Sequence, residues 1–284
     1  MTARLPRWHG IAATLFMGWA AASAHPMQDN TDAEFVKHAL ATELTAVQDA
    51  QHPMRYKLRK SSPRLSTTKH IVETKDGAVA RLVAVNDKAL SAIDEQKEQA
   101  RLDALLSDPS KQHHRKQAED DDTSRVLKVI RALPVAFLYD YLGTSDGPHG
   151  KIEKFAFKPN PGFEPPDIET HALTEMTGEL WVDAAENRVT RLEGHLDEDV
   201  DFGWGLLGRL NKGGWIVIEQ ANVADHQWRI VHFQLVMSGR ILFKNKSFDT
   251  QEDQTDFVSV PAGINYSQAI RMLRSEPGGA KAAR

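Results

Sequence analysis

The residues most suggestive of catalysis form a serine-centred motif. Residues 143–147 read Gly-Thr-Ser-Asp-Gly, which matches the nucleophile elbow of serine hydrolases and puts Ser145 in the position of the attacking hydroxyl. That elbow requires a buried strand before the serine and a helix after it. Here residues 148–150, Pro-His-Gly, lead into a predicted strand. The sequence favours a flexible turn, and a serine hydrolase using Ser145 ranks third among the functions considered.

A glycine-rich segment matches a nucleotide-binding motif. Residues 203–208 read Gly-Trp-Gly-Leu-Leu-Gly, the spacing of the dinucleotide fingerprint. The fingerprint places its glycines between a strand and a helix of a parallel unit, whereas the neighbouring strands here are predicted to be antiparallel. A tight crossover, or a lip over a cavity with Trp204, Leu206 and Leu207 as apolar contacts, explains the segment better. We expect no nucleotide cofactor.

Histidines and carboxylates supply the candidates for a metal site. They are the adjacent pair His113 and His114 and the cluster His195, Asp197, Glu198, Asp199 and Asp201. Neither group has the paired-histidine helix spacing of zinc hydrolases. Alternating aspartates on one strand face could bind calcium, but a solvated strand end is the simpler explanation. We therefore predict no metal site, no cofactor and no catalytic residue.

The first 24 residues have the features of a signal peptide. Two arginines precede an apolar run at residues 10–20, which is shorter than the roughly 20 residues that span a bilayer. Residues 22–24 read Ala-Ser-Ala, the small-residue pattern of a signal-peptidase site, so cleavage is expected between Ala24 and His25. No cysteine follows the run, so lipidation at the mature end is excluded. We expect an exported, released protein without a permanent membrane span.

Composition narrows the classes of partner. The chain has 35 basic and 39 acidic side chains, and loss of the two leader arginines leaves 33 against 39, a formal charge of −6. An acidic protein of this kind is a poor candidate for binding nucleic acid or an anionic membrane surface as its main partner. With no cysteine, neither disulfides nor thiolate metal sites can form.

The first part of the mature chain is predicted to mix helix and strand. A helix is expected over residues 32–49, because Thr31 and Glu34 fit a capping box and apolar residues follow at helical spacing. Strands follow up to Val85, and Asp76-Gly77 predicts a hairpin between two of them because this pair tolerates positive φ. Antiparallel pairing is therefore expected.

Residues 92–142 are predicted to be a charged helical insertion. One helix should end at Pro109, and an acidic run at residues 119–122 is expected to be an exposed linker or helix start. A solvated face explains this run better than a partner-binding acidic patch. A more apolar helix in two parts should then continue past Pro134 to Leu142.

The second half is predicted to be antiparallel sheet. Candidate strands are residues 151–157, 172–183, 188–201, 215–223, 228–237 and 241–248, with a proline-rich loop between 157 and 167. Several strands are apolar on both faces, as in Trp-Ile-Val-Ile at 215–218. Either helices cover the second face, or the sheet curves around a ligand. The fold class is α+β.

One hairpin carries a resemblance to a known family. Residues 176–183 read Met-Thr-Gly-Glu-Leu-Trp-Val-Asp, and residues 188–194 read Arg-Val-Thr-Arg-Leu-Glu-Gly. This pair resembles the repeated hairpin of the periplasmic outer-membrane lipoprotein-sorting and carrier proteins, and the chain resembles a divergent, larger member. The resemblance implies a large curved antiparallel sheet, a half-barrel, with helices packed over its concave side and an apolar interior that shelters acyl chains.

The leading hypothesis is non-catalytic binding of a lipid, acyl chain or lipoprotein in an apolar cavity. The candidate lining residues are Trp181, Trp204, Leu206, Leu207, Trp215, Ile218, Trp228, Phe233 and Leu235. The alternative is a structural or interaction protein of the cell envelope whose half-barrel is filled by its own side chains. A tightly filled interior would favour the alternative.

Domain organisation follows from these elements. We expect a signal peptide at 1–24, a single α+β half-barrel domain at 25–274, and a disordered tail at 275–284. The expected partner is a lipid, an acylated protein or a cell-envelope protein, bound by a periplasmic monomer.

Overall fold

The computed structural model describes residues 28–202, 208–241 and 244–275. Within these ranges the helices are α1 Gln28–Val47, α2 Ala92–Ser107, α3 Pro109–Ala136, α4 Ile168–His171 and α5 Tyr266–Ser275, with a 3₁₀ turn at Ala172–Glu175. The strands are β1 Met54–Ser61, β2 Ser66–Val72, β3 Val79–Val85, β4 Lys88–Ala89, β5 Phe137–Gly147, β6 Gly150–Pro159, β7 Met176–Asp183, β8 Arg188–Leu196, β9 Val200–Phe202, β10 Gly208–Leu210, β11 Trp215–Ala224, β12 Gln227–Ile241 and β13 Lys244–Ser259.

All of these strands belong to one antiparallel sheet. Its order is β4-β3-β2-β1-β13-β12-β11-β8-β7-β6-β5, and the short β9–β10 hairpin pairs with β12 through β10. The sheet does not close, since β4 and β5 stand at its two ends. The predicted fold class, α+β with a large antiparallel sheet and helices packed on it, is confirmed.

The first hydrophobic core lies between helices α1 and α3 and strands β5–β8. Val36 and Leu40 lie one turn apart on α1 and are buried against the sheet. Phe35 of the same helix stacks on Phe155 of β6, with ring centroids 5.7 Å apart. Phe155 is paired with Leu180 of β7, so both side chains point toward α1. We call this side of the sheet the helix face.

The second core lies at the other flank of the sheet, between α2, α5 and strands β2 and β3. Val72 and Val79, paired across β2 and β3, are fully buried with Leu102 of α2 and Ile270 of α5. Trp181 of β7 follows Leu180, so its side chain points away from the helix face. The strand pairings from β2 across the sheet to β7 place Val72 on the same side as Trp181. Helices therefore cover the two flanks of the sheet from opposite faces.

Helix α3 connects the two flanks. Near its start, the Gln112 side-chain amide donates to the Asp76 carbonyl oxygen at 2.7 Å, at the turn between β2 and β3. About two turns further on, the Glu119 carboxylate accepts from the Ala78 backbone N–H at 2.9 Å. The helix then packs against α1 and ends at Ala136, directly before β5.

Helix α2 also protects a strand edge. The backbone N–H of Leu82 in β3 donates to the Glu98 carboxylate at 2.9 Å. The guanidinium of Arg101 donates to the Ala80 carbonyl oxygen and to Glu98. Side chains of α2 thus occupy backbone groups of β3 that would otherwise be free to pair with another chain.

Several boundary predictions are wrong. The strand expected at 172–183 begins only at Met176, after the 3₁₀ turn, and the strand expected at 188–201 ends at Leu196. The acidic run at 119–122, expected as a linker or helix start, lies inside α3. Residues 137–142, expected to continue a helix, form the start of β5, which pairs with β6 along its whole length. Thr31 was expected to cap the first helix, but that helix begins at Gln28, so Thr31 lies inside it. The predicted end of a helix before Pro109 is confirmed, because α2 ends at Ser107 and Pro109 opens α3.

Other predictions lie outside the described residues. They are the signal peptide with its cleavage site at Ala24 and His25, the lip residues Trp204, Leu206 and Leu207, and the tail from residue 276 onward. None of the described helices is long and apolar enough to cross a membrane.

Candidate ligand-binding site

The central strands carry an apolar strip on the helix face. Ile218 of β11 is paired with Leu192 of β8, which is in turn paired with Leu180. Paired residues point to the same side of a sheet, so Ile218 lies on the helix face. Phe233 of β12 is paired with Ile218, and Leu235 points the same way two residues later. These three predicted cavity residues therefore lie side by side.

The described part of the chain does not seal this strip. Ile218, Phe233 and Leu235 are half-buried, and none of them belongs to either hydrophobic core. Helix α1 packs against β5 and β8, and α2 and α5 pack against β2 and β3, whereas no described helix packs extensively on β11, β12 or β13. Among the described residues, the strip is thus partly shielded from solvent but is not part of either packed core.

A cleft opens at the end of the strip, between the β9–β10 hairpin, α4, β12 and β13. Its volume is about 370 Å³, which lies within the range of roughly 300–1,000 Å³ for small-molecule sites. The lining surface is mainly apolar and includes Ile168, Phe202, Leu210 and Phe248. The charged residues at its border are Glu169, Arg209, Arg240 and Lys246. Phe248 is paired with Met237 and so lies on the helix face, continuing the strip. Sequence reasoning missed Phe248 and Ile168 as site residues.

Two apolar side chains at the rim of this cleft are unusually exposed. Ile168 is 60% exposed and Phe248 is 49% exposed. Large apolar side chains that cluster on a surface beside a cleft commonly mark a binding site. Phe202 and Gly208 also line the cleft, and in sequence they flank the segment that holds Trp204, Leu206 and Leu207.

Ion pairs fix the β9–β10 hairpin beside the cleft. The Arg209 guanidinium donates to both Asp201 carboxylate oxygens, at 2.7 and 2.9 Å, and to Asp199 at 3.2 Å. These hydrogen bonds lower the pKa of the Asp201 carboxyl below its usual value. Strand β10 also lies very close to β12, since a Cβ on Gly239 of β12 would lie 2.3 Å from the Arg209 carbonyl oxygen. Glycine is therefore needed at position 239.

The carboxylates considered as calcium ligands instead contact neighbouring groups of the protein. Asp199 also accepts from the Lys212 backbone N–H at 2.8 Å, and the His195 ring lies 3.1 Å from the Glu193 carboxylate. Among the described residues, no group of three or more histidines and carboxylates has the geometry to hold a metal ion.

Three of the tryptophans predicted to line the cavity, Trp181, Trp215 and Trp228, lie outside the strip, and Trp204 is outside the described residues. Trp181 follows Leu180 on β7 and points away from the helix face, with the Lys154 ammonium 4.0 Å from its ring centroid. Trp215 is likewise one residue out of phase with the strip. Trp228 is buried near the start of β12, where its ring N–H donates to Glu186 at 3.2 Å. Among the predicted cavity residues that the structure describes, Ile218, Phe233 and Leu235 are the ones that lie on the strip.

A second cleft lies near the other end of the helix face, below α3. It has a volume of about 580 Å³ and is open to solvent between α3 and β12. Val47 at the end of α1, Val126 of α3 and Ile230 of β12 line it, and they are 39%, 48% and 37% exposed. The helical spacing of α1 extends to Val47, but no sequence pattern indicates that Ile230 of β12 lines the same cleft.

A half-buried carboxylate lies near this second cleft. The Glu73 carboxylate accepts from the Met54 backbone N–H at 2.8 Å. Burial raises the pKa of Glu73, and the nearby Glu119 carboxylate raises it further. Burial also raises the pKa of the Tyr56 hydroxyl on the neighbouring strand. Burial thus disfavours the ionised forms of these two side chains.

A buried ion pair fixes α1 above the sheet. The two Glu43 carboxylate oxygens accept from Arg188 of β8 at 2.8 and 3.1 Å. They also accept from the Val189 backbone N–H at 2.9 Å and the Gln220 amide at 3.0 Å. One carboxylate thus ties the helix to both β8 and β11, the strands that lead to the apolar strip.

The structure places Ser145 in a β-hairpin. The residue lies in β5 opposite Ile152 of β6, and a tight turn at residues 147–150 joins the two strands. No helix follows the motif, so the strand-turn-helix geometry of a nucleophile elbow is missing at this position.

Comparisons with known proteins gave one similar structure. No protein-family model matches the chain, and no curated protein matches it. The chain is similar to a solved structure of an outer membrane lipoprotein-sorting protein domain from Vibrio parahaemolyticus, at 12% sequence identity and a TM-score of 0.29, over 85% of this chain and 99% of that chain. The hairpin at residues 176–194 resembles the same family in sequence.

Proposed function

We propose that the protein is exported to the periplasm and binds an acyl chain there, without catalysis, on the helix face of its sheet. The acyl chain would belong to a lipid or a lipidated protein. The observation that carries this proposal is the strip formed by Ile218, Phe233 and Leu235, which no described helix fills. The leader sequence at residues 1–24 supports export.

Apolar contact supplies the binding energy in this proposal. Burial of apolar surface contributes roughly 25 cal/mol per Å², so an acyl chain can be held without a specific polar partner. The strip continues along β12 through Met237 toward the cleft at Phe202, Leu210 and Phe248, which gives a chain an apolar path on that strand. On β13 the residues beside Leu235 and Phe233 are polar, Thr250 and Glu252, so they would border the chain on that side. No described helix covers the central strands, which would leave the chain accessible for transfer to another protein.

The proposal is tested by titrating a fluorescent fatty acid against two neighbouring variants. Leu235→Gln places a polar group in the strip, and we expect it to weaken binding by about 5-fold or more. Val236→Gln is the matched control, because Val236 is also half-buried and lies on the same strand. Its side chain points to the other face of the sheet, where it is paired with Trp215. We expect its affinity to stay within about twofold of the wild type.

Two outcomes would contradict the proposal. Equal weakening by Leu235→Gln and Val236→Gln would show that the loss comes from general destabilisation of β12. Failure of the wild-type protein to take up the fatty acid would favour the alternative, a structural or interaction protein of the cell envelope.

A further inference from the structure

The cleft beside the β9–β10 hairpin has a cationic end. Strand β13 begins with Lys244, and alternation places Lys244, Lys246 and Phe248 on the same side, the helix face. Lys246 lines the cleft together with Phe248. Lys244 does not itself line the cleft, but successive residues on one side of a strand are about 7 Å apart, so its long side chain can reach a headgroup that Lys246 holds.

These lysines differ from the other charged groups around the cleft. Within the part of the chain that the structure describes, neither Lys244 nor Lys246 makes an ion pair or a side-chain hydrogen bond, and both are exposed. By contrast, Arg209 is engaged by Asp201, and the cleft residue Glu169 shares the Lys128 ammonium with Asp167, at 3.7 and 3.5 Å. The two unpaired lysines outnumber this one partly compensated carboxylate, so the net charge at the mouth is positive.

We propose that this cleft binds an anionic acyl lipid, with Lys244 and Lys246 holding the negatively charged headgroup and Phe202, Leu210 and Phe248 contacting the start of the acyl chain. This assignment rests on the proposed function, which it narrows to a class of ligand and an orientation. The apolar wall excludes a small hydrophilic anion as the main occupant, because such an ion would leave Phe248 and Ile168 exposed. Charge and apolar surface together match an amphiphile.

The test measures the binding of three probes by titration calorimetry, with the two amphiphiles kept below their critical micelle concentrations. Dodecyl phosphate has the proposed headgroup charge, dodecyl maltoside has the same chain without charge, and inorganic phosphate has the charge without a chain. We expect dodecyl phosphate to bind most tightly, and its advantage over the maltoside to shrink as salt screens the lysines. Each exposed ion pair contributes about 1.5-fold to 5-fold in affinity, so Lys244→Gln with Lys246→Gln should weaken dodecyl phosphate binding by about 2-fold to 25-fold.

The matched control is the double variant Lys37→Gln with Lys97→Gln. These two exposed lysines lie on α1 and α2, and their removal changes the net charge by the same amount. The control should leave the affinity for dodecyl phosphate unchanged, and the cleft variant should leave the affinity for dodecyl maltoside unchanged.

Each remaining outcome would overturn a defined part of the account. Equal affinity for the phosphate and the maltoside, or equal losses in the cleft and control variants, would overturn the headgroup assignment and leave acyl binding intact. Inorganic phosphate that binds as tightly as dodecyl phosphate would overturn a lipid as the ligand. If none of the three probes binds, both the headgroup assignment and the proposed function are wrong.

Discussion

Removal of the Glu43 carboxylate should destabilise the protein strongly. Glu43 is 6% exposed and Arg188 is 8% exposed, so the ion pair between α1 and β8 is well shielded from water. The Glu43→Ala substitution leaves the buried Arg188 guanidinium, the Gln220 amide and the Val189 N–H without their shared acceptor. Breaking such a pair by removing one partner costs about 3–5 kcal/mol.

The size of the effect is large relative to the whole stability of a domain. Folded proteins are stable by about 5–15 kcal/mol, so the variant should unfold at a much lower urea concentration. Glu34→Ala is the matched control on the same helix. Glu34 pairs with Lys37 at 3.3 Å, but both side chains are more than half exposed, at 64% and 62%. An exposed pair contributes at most about 1 kcal/mol.

Urea unfolding followed by circular dichroism measures both free energies. A double variant, Glu43→Leu with Arg188→Met, replaces the pair by apolar side chains and should recover much of the loss, because no unpaired charge remains. If Glu43→Ala costs less than about 1 kcal/mol, as expected of Glu34→Ala, then the contact between α1 and the sheet is not held by this pair.

Three further substitutions have defined outcomes. Gly178→Ala should lower the urea midpoint, since the added Cβ would lie 1.9 Å from the Glu193 carbonyl oxygen, and the cost should be about 1–3 kcal/mol. Burial raises the pKa of Glu73, so ionisation of this carboxyl destabilises the fold as the pH rises through that pKa. The Glu73→Gln variant carries no charge at either pH. Its stability relative to the wild type, measured by thermal unfolding, should therefore be greater at about pH 7 than at about pH 4. Glu98→Ala removes the acceptor of the Leu82 N–H, so hydrogen exchange at Leu82 should accelerate by about 5-fold or more.

Controls for these variants come from the same chain. Gly162→Ala adds a Cβ that would meet only the Asn160 side-chain oxygen at 3.4 Å, and an equal loss of stability in the two alanine variants would contradict the close approach of β7 and β8. A Glu73→Gln difference that is the same at both pH values would show that this carboxyl is not perturbed in the fold. Unchanged exchange at Leu82 would show that α2 does not protect the β3 edge.

Local chemistry made the β2–β3 hairpin predictable. Asp76-Gly77 favours a tight turn because glycine adopts positive φ without strain, and Gly77 has φ +91°. The turn closes through the Gly77 N–H and the Thr74 carbonyl oxygen at 3.1 Å. Antiparallel pairing of Val72 with Val79 follows directly.

Strand β5 could not be predicted in the same way. Its apolar residues Phe137, Leu138, Tyr141 and Leu142 have spacings that fit a helix. A register shift between Tyr141 and Gly143 breaks the alternation that would have indicated a strand. Pairing with β6, which periodicity does not report, decides the conformation of this segment.

The candidate site was predictable only in part for a similar reason. The strands are apolar on both faces, so the sequence does not show which residues point toward α1. Ile218, Phe233 and Leu235 lie on the helix face, whereas Trp181 and Trp215 are each one position out of phase. A shift of one residue moves a side chain to the opposite face, so the register had to be known.

Native mass spectrometry of the mature protein, purified from its own cell envelope, tests acyl-chain binding most directly. The account predicts a population heavier than the mature polypeptide, whose extra mass is released by organic solvent and is identified as a lipid or an acylated peptide. A protein that is repeatedly isolated without such a mass, and that also fails to take up a fluorescent fatty acid, would contradict the account.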